Sequence, residues 1–511
     1  MSSVCVIGAG TAGLVAVKTC LENGLQPTCF ETSDEIGGLW FYSDQLRYKQ
    51  GSASYKNLTA NTPANFMAFS DYPFPENSPI FPSHEHVWDY LDSYAEHFSL
   101  KQFINFNVEV TKVHYDYANK NWIVETQYVA KTDHGDYERS PRDDIAFDYV
   151  MVSTGIMRRP FIPQWRGMES FKGEIVHSNL FRDGCDYRDQ RVLVIGAGNS
   201  AGDIVSEVSR CCSQVVHLSS RKGLWVVPRY WHPGKCTYVD ITMNRFGYYL
   251  NKFLPKSLLE FFGRKIANSL LNQNGFGFNP KYSFVESNDI MVNDDLPLLV
   301  GNGRVKFISE GIAFFEGNDV HFADGKVLKD VDTVICATGY NCDFSLMDET
   351  VFGGPTFRET KLYQNVWPIK SEQYGDSLAV IGAISADGSI QTIQELQSRW
   401  AVSVFLKQAR LPSVTQMEKW FVNNRRQKTN QSDSALMRHP SILYQDFLAQ
   451  QVGCYPSAWK ILLQYRSLSL VFKLTFGAHM PFGFRLVGPH SWPGALERYQ
   501  KHHKAVSFMN Y

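Results

Sequence analysis

Three glycines, Gly8, Gly10 and Gly13, follow the apolar run ValCysValIle in the pattern GxGxxG. That spacing suits a turn that holds a dinucleotide pyrophosphate. The first glycine permits the tight turn, the second lets backbone approach the phosphates, and the third lets the following helix lie close on the strand. The phosphates then meet unpaired N–H groups at the helix N-terminus. Alone the pattern is weak, since a glycine turn need hold nothing. Here Glu31 ends the next strand-like run, ThrCysPhe, where a carboxylate can accept from a ribose 2′-hydroxyl. A second glycine turn, IleGlyGlyLeuTrp, brings Gly38, Leu39 and Trp40 near the same ribose, although Trp40 reads equally well as core packing.

A related pattern, Gly196, Gly198 and Ala201, follows ValLeuValIle, with Asn199 and Ser200 opening the helix. The strand after it ends in Ser219, Ser220, Arg221 and Lys222, not in an acid. A carboxylate there would repel a 2′-phosphate, whereas Arg221 can bind one bidentately and Ser219 can donate to it. This favours NADPH over NADH; the plain alternative is a solvated basic turn. One site selecting a ribose and another a 2′-phosphate describe a flavoprotein with a pyridine-nucleotide reductant, so the cofactors are FAD and NADPH.

The elements that position these residues are two strand–turn–helix units roughly 190 residues apart, far beyond any solenoid period. The fold class is α/β: two Rossmann-like dinucleotide-binding domains of parallel sheet flanked by helices, the NADPH domain inserted into the FAD domain. YVMVSTG (149–155) and TVICATG (333–339) echo each other and read as places where the chain leaves one sheet for another domain. The expected division is 1–156 for the first part of the FAD domain and 157–331 for the NADPH domain. Residues 332–511 then form the second FAD part and C-terminal helices, the chain returning after Tyr340. An insertion at about 223–300 has no legible fold. Helical spacing predicts a helix over 83–99 behind Ser83 and another over 389–409.

The chain has 511 residues, 44% apolar and 20% charged, which is ordinary for a globular protein of more than one domain. A net charge of −1 gives no electrostatic argument for nucleic acid. The N-terminus does not read as a signal peptide. None of the ten cysteines has CxxC or zinc-ligand spacing, and no metal is expected. Cys5, Cys29 and Cys336 lie in apolar runs and read as reduced core residues of an intracellular protein. The sequons at Asn57 and Asn430 then read as chance. No apolar run is long enough to span a bilayer, and the stretch 461–476 is broken by Tyr465, Arg466 and Lys473.

Between the two glycine patterns lies Phe171-x-Gly173-x-x-x-His177-x-x-x-Phe181. With it the chain resembles the flavin-containing monooxygenases, which carry such a motif between two Rossmann units. The likeness covers nearly the whole chain: GGLW (37–40), NLTANTPANFMAFSDYPFP (57–75), FPSHEHVWDYL (81–91), ATGY (337–340), ELQSRWA (395–401) and PFGFRLVGP (481–489). It is most similar to the animal, microsomal-type branch. The resemblance implies that NADPH reduces FAD and reduced flavin takes up O2. The C4a-hydroperoxyflavin then passes one oxygen to a soft nitrogen or sulfur of a small amine or sulfide. No enzyme nucleophile is needed, and no HExxH or GxSxG pattern occurs. Asn61 matches the family's asparagine near the flavin and is the implied catalytic residue, although an Asx-turn is the plainer reading. The matched segments carry Thr62 and Gln397 into the cofactor-binding set. His177 is read as packing the linker, not as an acid or base.

Baeyer–Villiger monooxygenases extend the same motif with Trp-Pro or Trp-Asp, where this chain has Phe181-Arg182. Ketone oxygenation is the alternative function, with a weakly coupled NADPH oxidase beside it. A disulfide or ferredoxin-type reductase lacks the linker motif, and a redox scaffold would not need Arg221. The chain ends at Met509-Asn510-Tyr511 without the usual C-terminal membrane helix, which reads as a soluble member or a truncated form. The expected location is cytoplasmic or peripheral on the endoplasmic reticulum membrane. Leu254, Leu258, Phe262, Ile266 and Leu270 recur at spacing four within 250–271, between lysines and arginines. That segment reads either as an interfacial helix or as a helix packed on its own protein. A homo-oligomer is compatible with all of this.

Overall fold

Val4, Val6 and Ile7 make the first strand apolar on both faces, which suits a parallel strand covered on both sides by helices. In the computed structural model, which describes residues 2–43, 53–131, 137–232, 236–285, 290–370, 373–374, 376–426 and 436–505, Ser3–Ile7 is the middle strand of a five-stranded sheet. The order is Leu378–Val380, Tyr149–Val152, Ser3–Ile7, Gln26–Phe30, Ile104–Asn105, all parallel. Helix Thr11–Glu22 packs against this sheet and against helix Ile390–Phe405, whose N-cap Ser389 accepts from Thr392 N. Ser83 likewise caps helix His84–His97, so both expected helices form.

A second parallel sheet of five strands runs Glu174–His177, Thr333–Cys336, Val192–Ile195, Val216–Ser219, Val305–Ile308. Thr333–Cys336 therefore belongs to this sheet, and the expected boundary at 331/332 falls on the wrong side of it. The echo between 149–155 and 333–339 has a packing cause. Each strand lies beside the glycine-turn strand of its own sheet, and the small residues after it make room for that turn. A Cβ on Gly8 would stand 2.9 Å from Ser153 O, and one on Gly196 would stand 2.4 Å from Ala337 O. The true crossings between sheets are Arg159–Pro160 and Tyr340–Asn341, which pair antiparallel with each other.

The insertion contains a parallel strand pair, Trp225–Val227 with Ile290–Val292, and helices Tyr238–Thr242, Arg245–Leu250 and Lys256–Leu270. It docks on the C-terminal helices through Arg245, whose guanidinium meets the Asp446 carboxylate at 2.9–3.0 Å in a buried site. The stretch 250–271 is not one helix, because Pro255 caps a fresh one at Lys256. Its apolar face is not packed inward: Leu258, Phe261, Phe262 and Ile266 are exposed. The stretch 461–476 also divides, into Ala458–Tyr465 and Leu468–Phe476, with Arg466 left-handed between them at φ 49°. No helix among the described residues is long and apolar enough to cross a membrane.

Cys5, Cys29 and Cys336 are buried and free, as their apolar runs imply, and burial pushes the Cys29 thiol well up. Cys185 and Cys211 form a disulfide that their spacing did not suggest. Asn430 and the terminal Met509–Tyr511 lie outside the described residues.

Candidate functional site

The first glycine turn fits the demands placed on it. Gly8 has φ 98°, and a Cβ on Gly13 would stand only 1.8 Å from Gly8 O, so helix Thr11–Glu22 starts flush against its strand. Gly10 is the N-cap and no side chain caps the helix, which leaves first-turn amides for an anion. Gly38, with φ 55°, closes on the same turn: its Cβ would stand 3.1 Å from Gly10 Cα. Glu31 Oε2 accepts from Ala9 N at 2.7 Å, and its Oε1 accepts from Ser33 N and Oγ. The carboxylate thus stands at the rim of the turn. Leu39 is exposed beside it and Trp40 is half-buried against the core.

At the second turn, Gly196 abuts Ala337 and the space around Gly198 is open for 4 Å. Ala201 takes the third glycine's place in full burial. Asn199 Oδ1 accepts from Val292 N at 2.8 Å, tying the insertion to the helix start, and Ser200 is exposed. The two serines depart from expectation. Ser219 Oγ donates to Glu310 O at 2.7 Å and Ser220 Oγ donates to Gly223 O at 3.0 Å. A hydroxyl has one hydrogen, so neither serine can donate to a phosphate while these bonds hold. Arg221 is exposed and, among the described residues, in no ion pair. Of the residues expected to read the phosphate, it is the one with its donors unused.

A strap formed by residues 54–58 joins the two halves. The Tyr55 hydroxyl donates to Asp203 Oδ2 at 2.5 Å, Lys56 pairs with Asp183 at 2.8 Å, and Asn57 Nδ2 donates to Glu207. Burial pushes the Asp203 carboxyl up to about 6 against the opposing pull of Tyr55, Arg229 and Asn293. Tyr55 belongs to the core of the second sheet and Ala60 to that of the first, so the chain passes between the cores just before Asn61. Asn61 Oδ1 is buried there without a hydrogen-bond partner among the described residues, with half-buried Thr62 beside it. Ala60 N to Pro82 O and Ala64 N to Ile80 O, both 2.8 Å, fix the segment on either side. The Asx-turn alternative would use that oxygen, and it is unused.

The linker motif explains itself as interdomain carpentry. Phe171 packs edge-on against Phe315, and a Cβ on Gly173 would strike Asp332 O. His177 Nε2 bonds Gly339 O at 2.9 Å and Nδ1 meets Asn179, with Tyr340 edge-on at 4.9 Å. Burial lowers its pKa, so the ring is a neutral tie at the crossing. Phe181 packs on Tyr55, and Arg182 Nη1 donates to the carbonyls of Ser54, Asn179 and Phe181. Arg485 gathers three other matched segments: it meets Ser70 Oγ and Asp71 at 2.8 Å and Glu395 at 2.9 Å, all buried or nearly so. These contacts tie the scaffold together.

Gln397 is fully buried with both ends of its amide used, Oε1 accepting from Gly382 N at 2.8 Å and Nε2 donating to Tyr444 OH at 3.0 Å. It supports the Gly382 turn, and any contact with a cofactor would have to use the one N–H and one lone pair these bonds leave over. Two polar groups that sequence reasoning missed are unsatisfied instead. Gln394 Oε1 and Ser153 Oγ are buried without partners among the described residues. No motif marks them; their only signal is tertiary.

Two parallel sheets, each with a glycine turn after its middle strand, define a protein with two dinucleotide-binding folds. The chain matches the Flavin-binding monooxygenase-like family over residues 1–507, and it belongs to that family. It is 35% identical over 501 residues to flavin-containing monooxygenase 5 of Cavia porcellus, covering 96% of this chain and 90% of the relative. It is 34% identical over 501 residues, with the same coverage, to dimethylaniline monooxygenase (N-oxide-forming) 2 of Mus musculus. Among solved structures, S-allyl-L-cysteine S-oxygenase of Allium sativum shares the fold, with a TM-score of 0.64 at 23% identity over 98% of this chain and 99% of that one. The protein is thus a flavin monooxygenase that takes FAD and NADPH and acts with O2 on a small molecule.

Proposed function

We propose that the chain oxygenates soft nucleophilic nitrogen or sulfur atoms of small molecules. The observation that carries this is the unpartnered amide oxygen of Asn61, buried where the two cores meet. An N-oxide-forming relative at 34% identity supports the nitrogen arm. FAD belongs with Gly8, Gly10, Gly13, Glu31, Gly38, Leu39, Trp40 and Thr62, in a domain built from 1–156 and the chain beyond Gly339. NADPH belongs with Gly196, Gly198, Asn199, Ser200 and Arg221, in the domain 157–339. When bound, FAD accepts a hydride from NADPH and activates O2 for transfer to a nucleophile. The chain's own part is to bind, orient and keep dry. The carboxamide of Asn61 can donate and accept at once and does not titrate near neutral pH, so it holds its geometry as charge moves. The 54–58 strap fixes that amide relative to the NADPH half.

The test is NADPH consumption with and without an amine or a sulfide, scored for oxygenated product and for hydrogen peroxide. Asn61→Ala removes a hydrogen bond worth on the order of 1–3 kcal/mol to a buried group. Anaerobic flavin reduction should survive, while product falls and peroxide rises. Full coupling in that variant would leave Asn61 a turn residue.

We also propose peripheral membrane contact through 250–271, joined by Ala458–Tyr465 and Leu468–Phe476. Phe246 and Phe476 touch at 4.9 Å, Phe472 lies 4.7 Å from Phe476, and Phe253, Phe262, Trp459 and Leu463 are also exposed. Lys252, Lys256 and Lys265 supply cations beside it.

A further inference from the structure

Helix Ile390–Phe405 carries three buried glutamines, Gln391, Gln394 and Gln397, and the last two, one turn apart, are in opposite states. Gln397 is bonded at both ends of its amide, by Gly382 N and Tyr444 OH. Gln394 is only 8% exposed, yet its carboxamide makes no hydrogen bond among the described residues. Native chains keep nearly all such groups paired, so an amide left over in the interior points to a partner that is not protein. Its position says which. Gln394 Nε2 lies 3.0 Å from where a Cβ on Gly382 would stand, and Ala12 Cβ lies 3.4 Å from that same point. The carboxamide therefore sits against the first turn of helix Thr11–Glu22, beside the uncapped amides of the first glycine turn. A second orphan arrives from another strand. Ser153 is 5% exposed with Oγ unpartnered, and its carbonyl bounds Gly8. Two unsatisfied side chains, from the carboxyl ends of neighbouring strands and the helix behind them, thus flank one turn.

We propose that Gln394 hydrogen-bonds the ribityl–pyrophosphate stretch of FAD at this turn, with Ser153 as a second contact. Phosphate oxygens only accept, whereas sugar-alcohol hydroxyls both donate and accept. A carboxamide with its donor and its acceptor both unused matches a hydroxyl-bearing chain beside a phosphate better than any charged side chain would. The inference rests on the assignment of FAD to the first glycine turn. Retention of FAD by Gly10→Val would sink that assignment. If Gly10→Val loses FAD while the variants below keep it, this proposal alone fails.

The measurement is the dissociation constant of FAD, followed by flavin fluorescence on release from purified holoenzyme, together with the melting temperature with and without FAD. Gln394→Leu keeps the volume and removes the amide. It should weaken FAD about tenfold or more while leaving the FAD-free melting temperature unchanged or higher, because an unsatisfied polar group has gone. Ser153→Ala should weaken FAD about threefold or more without loss of fold. Gln394→Glu, nearly isosteric, should bind FAD more weakly than the Leu variant, since it sets a carboxylate beside the phosphates. FAD affinity within about twofold of the parent in Gln394→Leu, or an equal fall in melting temperature with and without FAD, would make Gln394 a packing residue. Should the Leu variant not fold, Gln394→Glu decides: unchanged affinity overturns the proposal, and lost affinity in a folded protein supports it.

Discussion

Arg221→Ala should raise the Michaelis constant for NADPH about tenfold or more, worth ~1.4 kcal/mol or above, and leave NADH use nearly unchanged. Steady-state kinetics with both nucleotides check this; equal weakening would mean that Arg221 does not read the phosphate. The neighbouring serines should matter little to that choice, because their hydroxyl hydrogens are engaged within the turn. At this scale the sequence was legible where a residue's role follows from its neighbours in the chain. Gly13 and Glu31 are of that kind, their places set by the strand and turn around them. It was not legible where the role depends on which partner arrives from elsewhere. Gln394 and Gln397 are indistinguishable in QTIQELQ, and only the backbone amide of Gly382, from another strand, decides which amide is used.

Among elements, the glycine turns separate two demands that a single motif conceals. A Cβ on Gly10 meets only Gly38 Cα at 3.6 Å, whereas one on Gly13 would collide with Gly8 O. Gly10→Val should therefore give folded but colourless protein, and Gly13→Ala should lower the melting temperature even without FAD. Absorbance at the flavin bands and thermal unfolding distinguish the two. The strap onto helix Asn199–Cys211 has its own signature through Asp203. A carboxyl raised from 3.8 to about 6 contributes its stability below the lower value and loses it as pH rises through about 6. The difference is about 3 kcal/mol. Asp203→Asn should flatten the dependence of urea unfolding on pH between about 4 and 6; an unaltered slope would place the titration elsewhere. The turn-bearing strands were readable because each is an apolar run closed by glycine. The insertion was not, since its strands Trp225–Val227 and Ile290–Val292 are three residues each and find each other across three helices.

For the whole molecule, the exposed apolar surface gives the measurable consequence. The chain should co-sediment with vesicles rich in anionic lipid, and Phe262→Asp with Phe472→Asp should reduce that binding about tenfold or more, since each buries apolar area in the interface. Absence of binding by the parent chain would end the membrane reading. The amphipathic character of 250–271 is visible in the sequence, but the approach of the preceding helix Arg245–Leu250 to Leu468–Phe476 rests on a contact between distant segments, Phe246 with Phe476. Domain insertion itself was legible from two glycine turns and two echoing strands. Its return point was not, because an apolar strand carries no mark of which sheet it joins.

The pairing of Arg159–Pro160 with Tyr340–Asn341 reaches further than the site. Phe161 N donates to Gly339 O at 3.0 Å, so the half that carries the second glycine turn begins and ends at one neck. To the host sheet this whole half is a hairpin loop, and the entropy of closing a loop grows only slowly with its length. Changes of length beyond the neck therefore reach the host sheet only through the contacts that cross to it, such as the Tyr55–Asp203 bond and the Arg245–Asp446 pair.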